Sequence, residues 1–519
     1  MNALCLFSTI VFSLLCILYY LISKKRNYWK KRKVPHLKPS IFFGNYKDYI
    51  TLRKYSPKIT QEICQNFPDS PYVGVYYGTE PALVIQDPEM IKLVLAKDFY
   101  YFNSREVADH THKELITQNM FFTGGDRWKV LRQNLTALFS SAKLKNMFYL
   151  IENCATQLEK VIDEDLKSSK TNVIEIKSLL SRYTMDCIGS CAFGVDTGTL
   201  AGKDMHRNPF TIMGDKLFDI TISGALKMIG RAMWPAAFYA FGLKWFGDDI
   251  VKFFDRLLKG VFADRSYKQS SRNDFVDFVL GWKQKNNLIG DSVKNFKTGM
   301  KSTIALEVND DLLVAQCILF FAAGFETTAT TTAFTFYELA KHPSAQARVI
   351  EEVTDYFDRH NGKVEYECIN EMPYLQACID ETLRLYPVLG NLTREVVETY
   401  TLPTGLRLEK GDRIHIPVYH IHHSPQNFPE PEEFRPERFY GAEKQAIKQF
   451  TYIPFGEGPR ICMGLRFARM PIVAGLLTIL KKYRVELADD MPRNIKFQPR
   501  SFVTQPMGGI SLKFIAHQA

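Results

Sequence analysis

A single cysteine lies in a glycine-rich stretch, FGEGPRICMG, at residues 455–464. Glycine and proline disfavour helix and strand alike, so the stretch is predicted to be a sharply bent loop. Cys462 could be a small residue in an ordinary turn, a thiol nucleophile or a thiolate ligand to a metal. No histidine lies close by in the sequence to activate a nucleophile. Arg460 and the amide dipoles of a helix that begins after the cysteine would both favour the thiolate.

Three glycines of this loop are expected to allow positive φ angles and the close approach of a flat body. They are Gly456, Gly458 and Gly464.

A second set of polar groups, AAGFETT at 322–328, interrupts a long apolar run. Glycine and threonine are poor helix formers, and threonine hydroxyls can bond carbonyls one turn back and distort a helix. Glu326 and Thr327 could therefore lie beside a pocket, or Glu326 could simply lie on a solvated helix face. The phenylalanines among residues 320–325 favour a buried position.

Two further pairs of side chains have helical spacing. Glu381 and Arg384 lie in the apolar setting ACIDETLRLYPV, so their charges should be partly buried and must satisfy each other. Trp128 and Arg132, in WKVLR, lie one helical turn apart on one face. From the residues alone, the simplest interpretation of the second pair is a core tryptophan with an arginine stem packed beside it.

The elements that position these groups are predicted to be mainly helical, with a minor β part. Residues 310–342 predict one long helix through the core of a large domain, because Glu326 and the threonines would be costly in a membrane. Strands are expected within 72–95, and short strands and turns follow residue 387, with a last helix after residue 464. The chain is thus predicted to form a single large domain.

The N-terminus predicts a membrane anchor. Residues 2–22 are uncharged and about long enough to span a bilayer, and the basic residues follow this stretch instead of preceding it. We therefore predict an uncleaved signal-anchor transmembrane helix at 1–23, a basic linker with prolines at 24–40, and the catalytic domain at 41–519. The positive-inside rule places that domain in the cytoplasm. The alternative is a buried hydrophobic helix.

The composition argues against several other classes. The net charge of +10 is concentrated at the N-terminus, where residues 1–38 contain eight Lys and Arg and no acidic residue, so nucleic-acid binding is not expected. The ten cysteines lack zinc or disulfide spacing, which suits reduced thiols that face the cytosol. His420 and His422 are predicted on one face of a strand without ligand partners, so no metal site is expected there. The sequence has no glycine-rich nucleotide motif, so the chain is not expected to bind a nucleotide itself.

Taken together, the motifs resemble the cytochrome P450 family of haem-thiolate monooxygenases. The haem-binding loop of this family has the pattern F-x-x-G-x-R-x-C-x-G. The family's other motifs are matched by AAGFETT, ETLR, PERF and W-x-x-x-R. The resemblance implies that Cys462 is the axial ligand to haem b, a strong donor that favours O–O cleavage. It also implies that Thr327 and Glu326 organise waters for proton delivery, and that Ala323 and Gly324 line the oxygen groove.

The resemblance assigns the other site residues as well. Phe455 would shield the sulfur. The residues that would bind the haem propionates are Trp128, Arg132, Arg394, Arg460 and Arg105. A buried network would support the cysteine loop without a catalytic step of its own, and it would consist of Glu381, Arg384 and Arg438. Two departures from the family pattern are Met463 after the cysteine and Pro471, which is expected to kink or delay the last helix.

The implied function is oxygenation of a small lipophilic substrate: a xenobiotic, an insecticide, or an endogenous hormone or lipid. The anchor and the 309–328 stretch look most like insect microsomal enzymes that oxidise xenobiotics. The implied partners are an NADPH-dependent cytochrome reductase, with cytochrome b5 as a second candidate, and membrane lipid. The enzyme is expected to act as a monomer at the endoplasmic reticulum membrane. Four phenylalanines suggest an apolar, aromatic cavity, although core packing explains them equally well: Phe121, Phe122, Phe320 and Phe321.

Two other classes stay open from the sequence. One is a haem-thiolate enzyme that rearranges a peroxide or dehydrates an oxime without a reductase; such enzymes often lack an acid–threonine pair, and Glu326 and Thr327 count against it. The other is a haem-binding scavenger without enzymatic activity.

Overall fold

The computed structural model describes residues 2–201, 207–218 and 220–517, and they form a mainly helical protein. Helices of nine or more residues in this part of the chain are α1 (Asn2–Arg26), α2 (Ser56–Gln65), α3 (Gly125–Thr136), α4 (Ser141–Ser168), α5 (Ile176–Ile188), α6 (Pro209–Leu217), α7 (Ile222–Met233), α8 (Asp248–Asp264), α9 (Phe275–Lys283), α10 (Asp310–Lys341), α11 (Pro343–Arg359), α12 (Pro373–Leu385) and α13 (Leu465–Leu480). Shorter α-helices are Tyr28–Lys31, Lys47–Ile50, Pro88–Lys92, Pro235–Ala240, Asn295–Thr298, Cys368–Glu371, Val418–His422 and Glu443–Ala446.

The strands are short, as predicted. They are β1 (Tyr72–Tyr77), β2 (Glu80–Ile85), β3 (Val173–Glu175), β4 (Asn287–Asp291), β5 (Thr303–Glu307), β6 (Leu392–Glu395), β7 (Tyr400–Thr401), β8 (Arg407–Leu408), β9 (Arg413–Ile416), β10 (Tyr483–Leu487) and β11 (Ser511–Ala516). The largest sheet has the order β1-β2-β9-β6, with β2 and β9 parallel and its other pairs antiparallel. A second sheet has the order β10-β11-β3, and two hairpins, β4–β5 and β7–β8, complete the β part.

The long helix α10 passes through the core, which confirms the prediction for residues 310–342. Its N-cap is Asn309, whose side chain accepts a hydrogen bond from the Leu312 amide. In the described part of the chain, α10 is the helix that is long and apolar enough to cross a membrane, but 67% of its most apolar window is buried. It is therefore a core helix, and six other helices of the described chain pack against it: α5, α8, α9, α11, α12 and α13.

The N-terminal helix α1 extends beyond the predicted anchor and ends at Arg26. Apolar side chains along it, such as Leu6, Phe7 and Phe12, are exposed. The chain that follows is attached to the domain, because Trp29 is buried and its indole Nε1 donates to the Val75 carbonyl at 2.9 Å. Insertion of α1 into a membrane stays a prediction.

One local prediction is wrong. His420 and His422 are not on a strand, because β9 ends at Ile416 and a short helix, Val418–His422, follows it. Of the two effects expected from Pro471, a delay of the last helix does not occur, since α13 begins six residues earlier, at Leu465, and a kink stays a prediction. A proline in the second turn of a helix still removes an amide donor, but the preceding turn has already formed.

Candidate active site

The loop 455–464 is folded tightly on itself and against a neighbouring segment. The amide of Cys462 donates to the Phe455 carbonyl at 2.8 Å, which closes the loop. Gly456 and Gly458 have positive φ angles of 74° and 71°, as predicted. A Cβ on Gly458 would lie 1.9 Å from the Leu95 carbonyl oxygen. A glycine is therefore required here because the loop packs directly against the backbone of Leu95. The prediction is wrong for Gly464, whose φ is −81°.

Cys462 opens onto a large cavity inside the protein, which we call the inner cavity. Its side chain is exposed to this space. Helix α10 contributes Ala323, Gly324 and Thr327 to the lining, and the cysteine loop contributes Phe455 and Met463. The predicted oxygen groove and the predicted cysteine ligand therefore face one cavity.

Four arginines line the inner cavity without an acidic partner. Within the described residues that form the lining there is no Asp or Glu. The guanidiniums donate only to carbonyl oxygens: Arg105 to Phe121 at 2.8 Å, Arg132 to Ile461 at 2.7 Å, Arg394 to Thr393 at 2.8 Å, and Arg460 to Thr123. All four come from different parts of the chain, and the fold brings together every arginine that the family resemblance assigned to the propionates.

The arginine charges are poorly compensated by protein. Burial lowers the pKa of Arg105 to about 9 and that of Arg394 to about 10. Burial, together with the charges of its three arginine neighbours, also lowers the pKa of Arg460 well below its ordinary value. The Nε and Nη1 atoms of Arg460 and the Nε atom of Arg394 are buried and lack a hydrogen-bond partner among the described residues. Such a cluster requires an anionic ligand.

Haem fits this arrangement. Its two carboxylates would supply the acceptors that the arginines lack, and arginine binds carboxylates through a planar fork. Trp128 lines the same cavity, with the Arg460 guanidinium carbon 4.9 Å from the centre of its ring. Cys462 presents the soft sulfur ligand that iron in this class of cofactor takes.

The electrostatic prediction for the cysteine is corrected by the structure. The Gly464 amide and the positive charges of Arg132 and Arg105 lower the pKa of the Cys462 thiol, but burial outweighs them and raises it. The loop by itself therefore does not favour the thiolate. Coordination to a metal ion is the interaction that removes the proton from a buried thiol.

Thr327 and Glu326 are adjacent in sequence but have different surroundings. The Thr327 hydroxyl lines the inner cavity and donates to the Ala323 carbonyl at 2.6 Å. The Glu326 carboxylate points elsewhere: it lies 2.9 Å from the Lys177 ammonium and accepts from the Gln505 amide at 2.5 Å. Lys177 and Gln505 escaped the sequence analysis because they are 149 and 179 residues from Glu326 and belong to no motif.

The predicted network of Glu381, Arg384 and Arg438 is assembled in the core. Arg384 donates to both oxygens of the Glu381 carboxylate, at 2.7 Å and 2.8 Å, and both side chains are fully buried. The Arg438 Nε lies 3.4 Å from the same carboxylate. Arg384 also donates to three carbonyls, of His422, Pro431 and Glu433, which tie the segment 422–433 to helix α12.

His422 connects this network to the cysteine loop. Its carbonyl accepts from Arg384, and its ring Nε2 accepts from the Ile453 amide at 2.9 Å. The carbonyl of Ile453 in turn accepts from the Gly456 amide at 3.0 Å. Burial and the Arg384 charge lower the pKa of His422 to about 3, which keeps the ring neutral so that Nε2 can accept. The histidine motif thus has a structural use that the sequence analysis missed.

A second cavity, which we call the outer cavity, adjoins the first. It shares five residues of its lining with the inner cavity, namely Arg105, Phe121, Leu389, Leu392 and Arg394. The aromatic lining predicted from sequence is correct for three of the four phenylalanines: Phe121 and Phe320 line the inner cavity and Phe122 the outer one. Phe321 packs against Phe193, Phe254 and Phe325 in the core instead.

Comparison with known proteins agrees with the motifs and the geometry. The family model described as "Cytochrome P450" matches residues 34–514. The chain is 34% identical to Cytochrome P450 6B2 of Helicoverpa armigera over 510 residues, which cover 98% of each protein. It is 35% identical to Cytochrome P450 6k1 of Blattella germanica, over 100% of this chain and 98% of the relative.

These matches extend over the whole domain and include the segments that bring Cys462, the four arginines and Thr327 to one cavity. Members of this family carry haem with a cysteine thiolate ligand, and they generally take electrons from a redox partner and act on lipophilic substrates. The chain belongs to the cytochrome P450 family and is a cytochrome P450 monooxygenase.

Proposed function

We propose that the enzyme inserts one atom of dioxygen into a small lipophilic substrate, a xenobiotic, an insecticide or an endogenous hormone or lipid, with NADPH as the electron source. The observation that carries this proposal is the inner cavity, where Cys462 and four arginines without acidic partners face Thr327 on helix α10. Cys462 is the proposed axial ligand. The proposed propionate-binding residues are Trp128, Arg105, Arg132, Arg394 and Arg460.

Bound haem would supply the activation of dioxygen that this reaction requires. The protein's own contribution is to hold the sulfur, exclude water and deliver protons. The apolar lining, which includes Phe320, Ala323, Val388 and Leu389, favours an uncharged substrate and removes water from the space between the loop and α10.

Proton delivery is assigned to helix α10. Thr327 uses its hydroxyl proton on the Ala323 carbonyl, so its oxygen is free to accept a hydrogen bond from a water in the inner cavity. Glu326 lies one residue away and contacts Lys177, whose side chain is 15% exposed. We propose that Lys177 and Glu326 form the outer part of a proton path and that Thr327 forms its inner end.

The proposed redox partner is an NADPH-dependent cytochrome reductase, with cytochrome b5 as a second candidate. Arg466 supports a docking site beside the cysteine loop, because it is exposed on the first turn of α13, four residues after Cys462. Attachment to the endoplasmic reticulum membrane is supported by the apolar helix α1 and by exposed apolar side chains around α7. The latter are Ile222, Leu226, Phe241 and Leu243.

Carbon monoxide spectroscopy and oxygen consumption test the proposal together. The reduced enzyme with carbon monoxide is expected to show the red-shifted Soret band of a thiolate ligand, and Cys462→His is expected to abolish it. With NADPH and the reductase, a monooxygenase shows oxygen uptake that depends on substrate. Thr327→Ala should keep the uptake but convert it to hydrogen peroxide instead of product, because proton delivery is impaired.

The same measurements distinguish the two alternatives. A haem-binding scavenger would show the thiolate band without substrate-dependent oxygen uptake. An enzyme that rearranges peroxides or dehydrates oximes would turn over without NADPH, and Thr327→Ala would leave its rate unchanged. Thr354→Ala is a matched control, since its exposed hydroxyl also bonds a carbonyl one turn back, on α11, away from the cavity.

A further inference from the structure

The outer cavity contains a buried cation that no step of the proposed reaction uses. Arg231 lies near the end of helix α7 and is 5% exposed, and it forms part of the wall of the outer cavity. Burying a guanidinium is costly unless its donors are satisfied. Arg231 is therefore a residue whose position needs an explanation.

Among the described residues, only one of the three guanidinium nitrogens of Arg231, Nε, has a hydrogen-bond partner. Its Nε donates to the Tyr239 hydroxyl at 2.6 Å and lies 3.7 Å from a carboxylate oxygen of Glu114. Within the described residues neither terminal nitrogen makes a hydrogen bond, and Nη2 is fully buried without a partner. The planar fork of the guanidinium, which usually makes the strongest contacts of an arginine, thus has no acceptor among the described residues.

Aromatic rings hold this guanidinium in place at the cavity. Its central carbon lies 5.3 Å from the ring centre of Phe122 and 5.1 Å from that of Trp245, and both rings line the outer cavity. The two rings also pack edge to face, at 5.8 Å. A cation fixed between aromatic walls is preorganised to donate hydrogen bonds to a ligand that lies in the cavity.

The charges near Arg231 indicate which kind of ligand is preferred. Glu114 compensates the positive charge, and its carboxylate is itself fixed by the Tyr239 hydroxyl at 2.7 Å and by the amides of Trp245 and Phe246 at 3.1 Å. A second carboxylate, brought by a ligand, would lie beside Glu114 and be repelled. A neutral acceptor such as a ketone or ester oxygen avoids this repulsion.

We propose that Arg231 is a substrate-specificity residue that binds a neutral carbonyl-type oxygen of the substrate in the outer cavity. This inference rests on the proposed function, since the outer cavity adjoins the inner one through Arg105, Phe121 and Leu389. A substrate that extends from one cavity to the other would thereby be oriented, with its acceptor end at Arg231 and its apolar end toward Thr327. The substrate class is an apolar molecule with an oxygen acceptor at one end.

Three naphthalene probes of nearly equal shape test this assignment by equilibrium dialysis against the haem-loaded enzyme. They are 2-acetylnaphthalene, 2-isopropenylnaphthalene and 2-naphthoate. The parent enzyme is expected to bind the ketone about tenfold more tightly than the alkene, which has the same shape without the oxygen. In Arg231→Met this preference should fall to about onefold. Equal binding of ketone and alkene by the parent, or an unchanged preference in Arg231→Met, would overturn the proposal.

Two further variants keep the result interpretable. Lys227→Met removes an exposed cation one turn earlier on α7, outside the lining of the outer cavity, and should keep the tenfold preference. Arg231→Met could be unstable because Glu114 is left unpaired. In that case the double variant Arg231→Met, Glu114→Gln removes both charges, and the preference for ketone over alkene is measured on it instead. Tighter binding of 2-naphthoate than of the ketone would overturn the assignment to a neutral group. Because dialysis does not depend on turnover, failure of this proposal is distinguishable from failure of oxygenation.

Discussion

The loop that carries Cys462 and the helix that faces it across the inner cavity are stabilised in opposite ways. The loop is supported by hydrogen bonds that lead through Ile453 and His422 to the buried Arg384. Helix α10 is held by apolar packing on most of its surface, and four of its threonine hydroxyls bond carbonyls of the same helix. Where a ligand must be held, the fold supplies rigid polar support; where a reaction needs space, it supplies small side chains.

The threonines of α10 illustrate the second strategy. The hydroxyls of Thr327, Thr331, Thr332 and Thr335 each donate to the carbonyl four residues earlier. These bonds satisfy the hydroxyls without a partner from another element, so the helix can present them to a cavity. Gly324 has a different use: a Cβ there would lie 2.1 Å from the Cδ1 of Ile188, so α10 and α5 pack closely at this point.

Removal of Arg384 should have the largest effect and would break the polar support of the loop. Arg384→Met leaves the buried Glu381 carboxylate with the Arg438 guanidinium at 3.4 Å and the Arg435 amide at 2.9 Å, and it frees three carbonyls, so we expect a loss of about 3–5 kcal/mol of unfolding free energy. The carbon monoxide complex should then lack the thiolate band at 37 °C. Denaturant unfolding followed at that band measures the effect.

Arg359→Met is the matched control for this variant, since Arg359 is half exposed and its ion pair with Glu371 lies at the surface. It should cost less than about 1 kcal/mol. If Arg384→Met and Arg359→Met were equally stable, the buried network would not be what supports the loop, and the contrast with α10 would be lost.

A pair of glycine substitutions sharpens the comparison within the loop. Gly458→Ala places a methyl group against the Leu95 carbonyl in a left-handed conformation, and we expect a loss of about 3 kcal/mol. Gly456→Ala has a similar φ but meets nothing closer than 3.8 Å, so about 1 kcal/mol is expected. Thermal unfolding of both variants measures the difference, and similar losses would show that backbone conformation matters and the contact with Leu95 does not.

The architecture could be predicted from the residues because it is encoded locally, whereas most residues of the inner cavity were assigned only through the family resemblance. A long apolar run without proline indicates a core helix whatever surrounds it, and the cysteine loop is a compact motif. Contacts between side chains that are distant in sequence could not be predicted, because they depend on the tertiary fold. Lys177 reaches Glu326 from another helix, and Arg231 becomes significant only because α7 borders the outer cavity.

The same limit explains the wrong interpretation of the histidines. Alternating polar and apolar residues in HIPVYHIHH fit a strand, and nothing local shows that the chain turns into a helix at Val418. The role of His422 depends on Arg384 and Ile453, which are far from it in sequence.

Protonation of His422 should have the smallest effect of the three changes, and it should act on the loop side of the cavity. His422 has a pKa of about 3 in the folded protein and an ordinary value of 6.5 when unfolded, so the unfolded chain binds the proton more readily between these values. The contribution of neutral His422 to the free energy of unfolding is therefore fully present above pH 6.5. It decreases as the pH falls, and about 2 kcal/mol of it is lost at pH 5. Burial also lowers the pKa of His420, to about 4, and this adds a loss of the same sign.

His422→Gln separates the contribution of this ring, because the glutamine oxygen can still accept from the Ile453 amide without titrating. The variant should lose less stability than the parent between pH 7 and pH 5, whereas His112→Gln, at an exposed position, should follow the parent curve. Unfolding is followed at both pH values by the thiolate band, which reports the loop, and by far-ultraviolet circular dichroism, which reports the helices.

At pH 5 the thiolate band should be lost before the helical signal. The reason is that the charge that protonation adds to His422 is buried next to Arg384 and not next to α10. Identical pH curves for the parent and His422→Gln would mean that acid reaches the loop by another route.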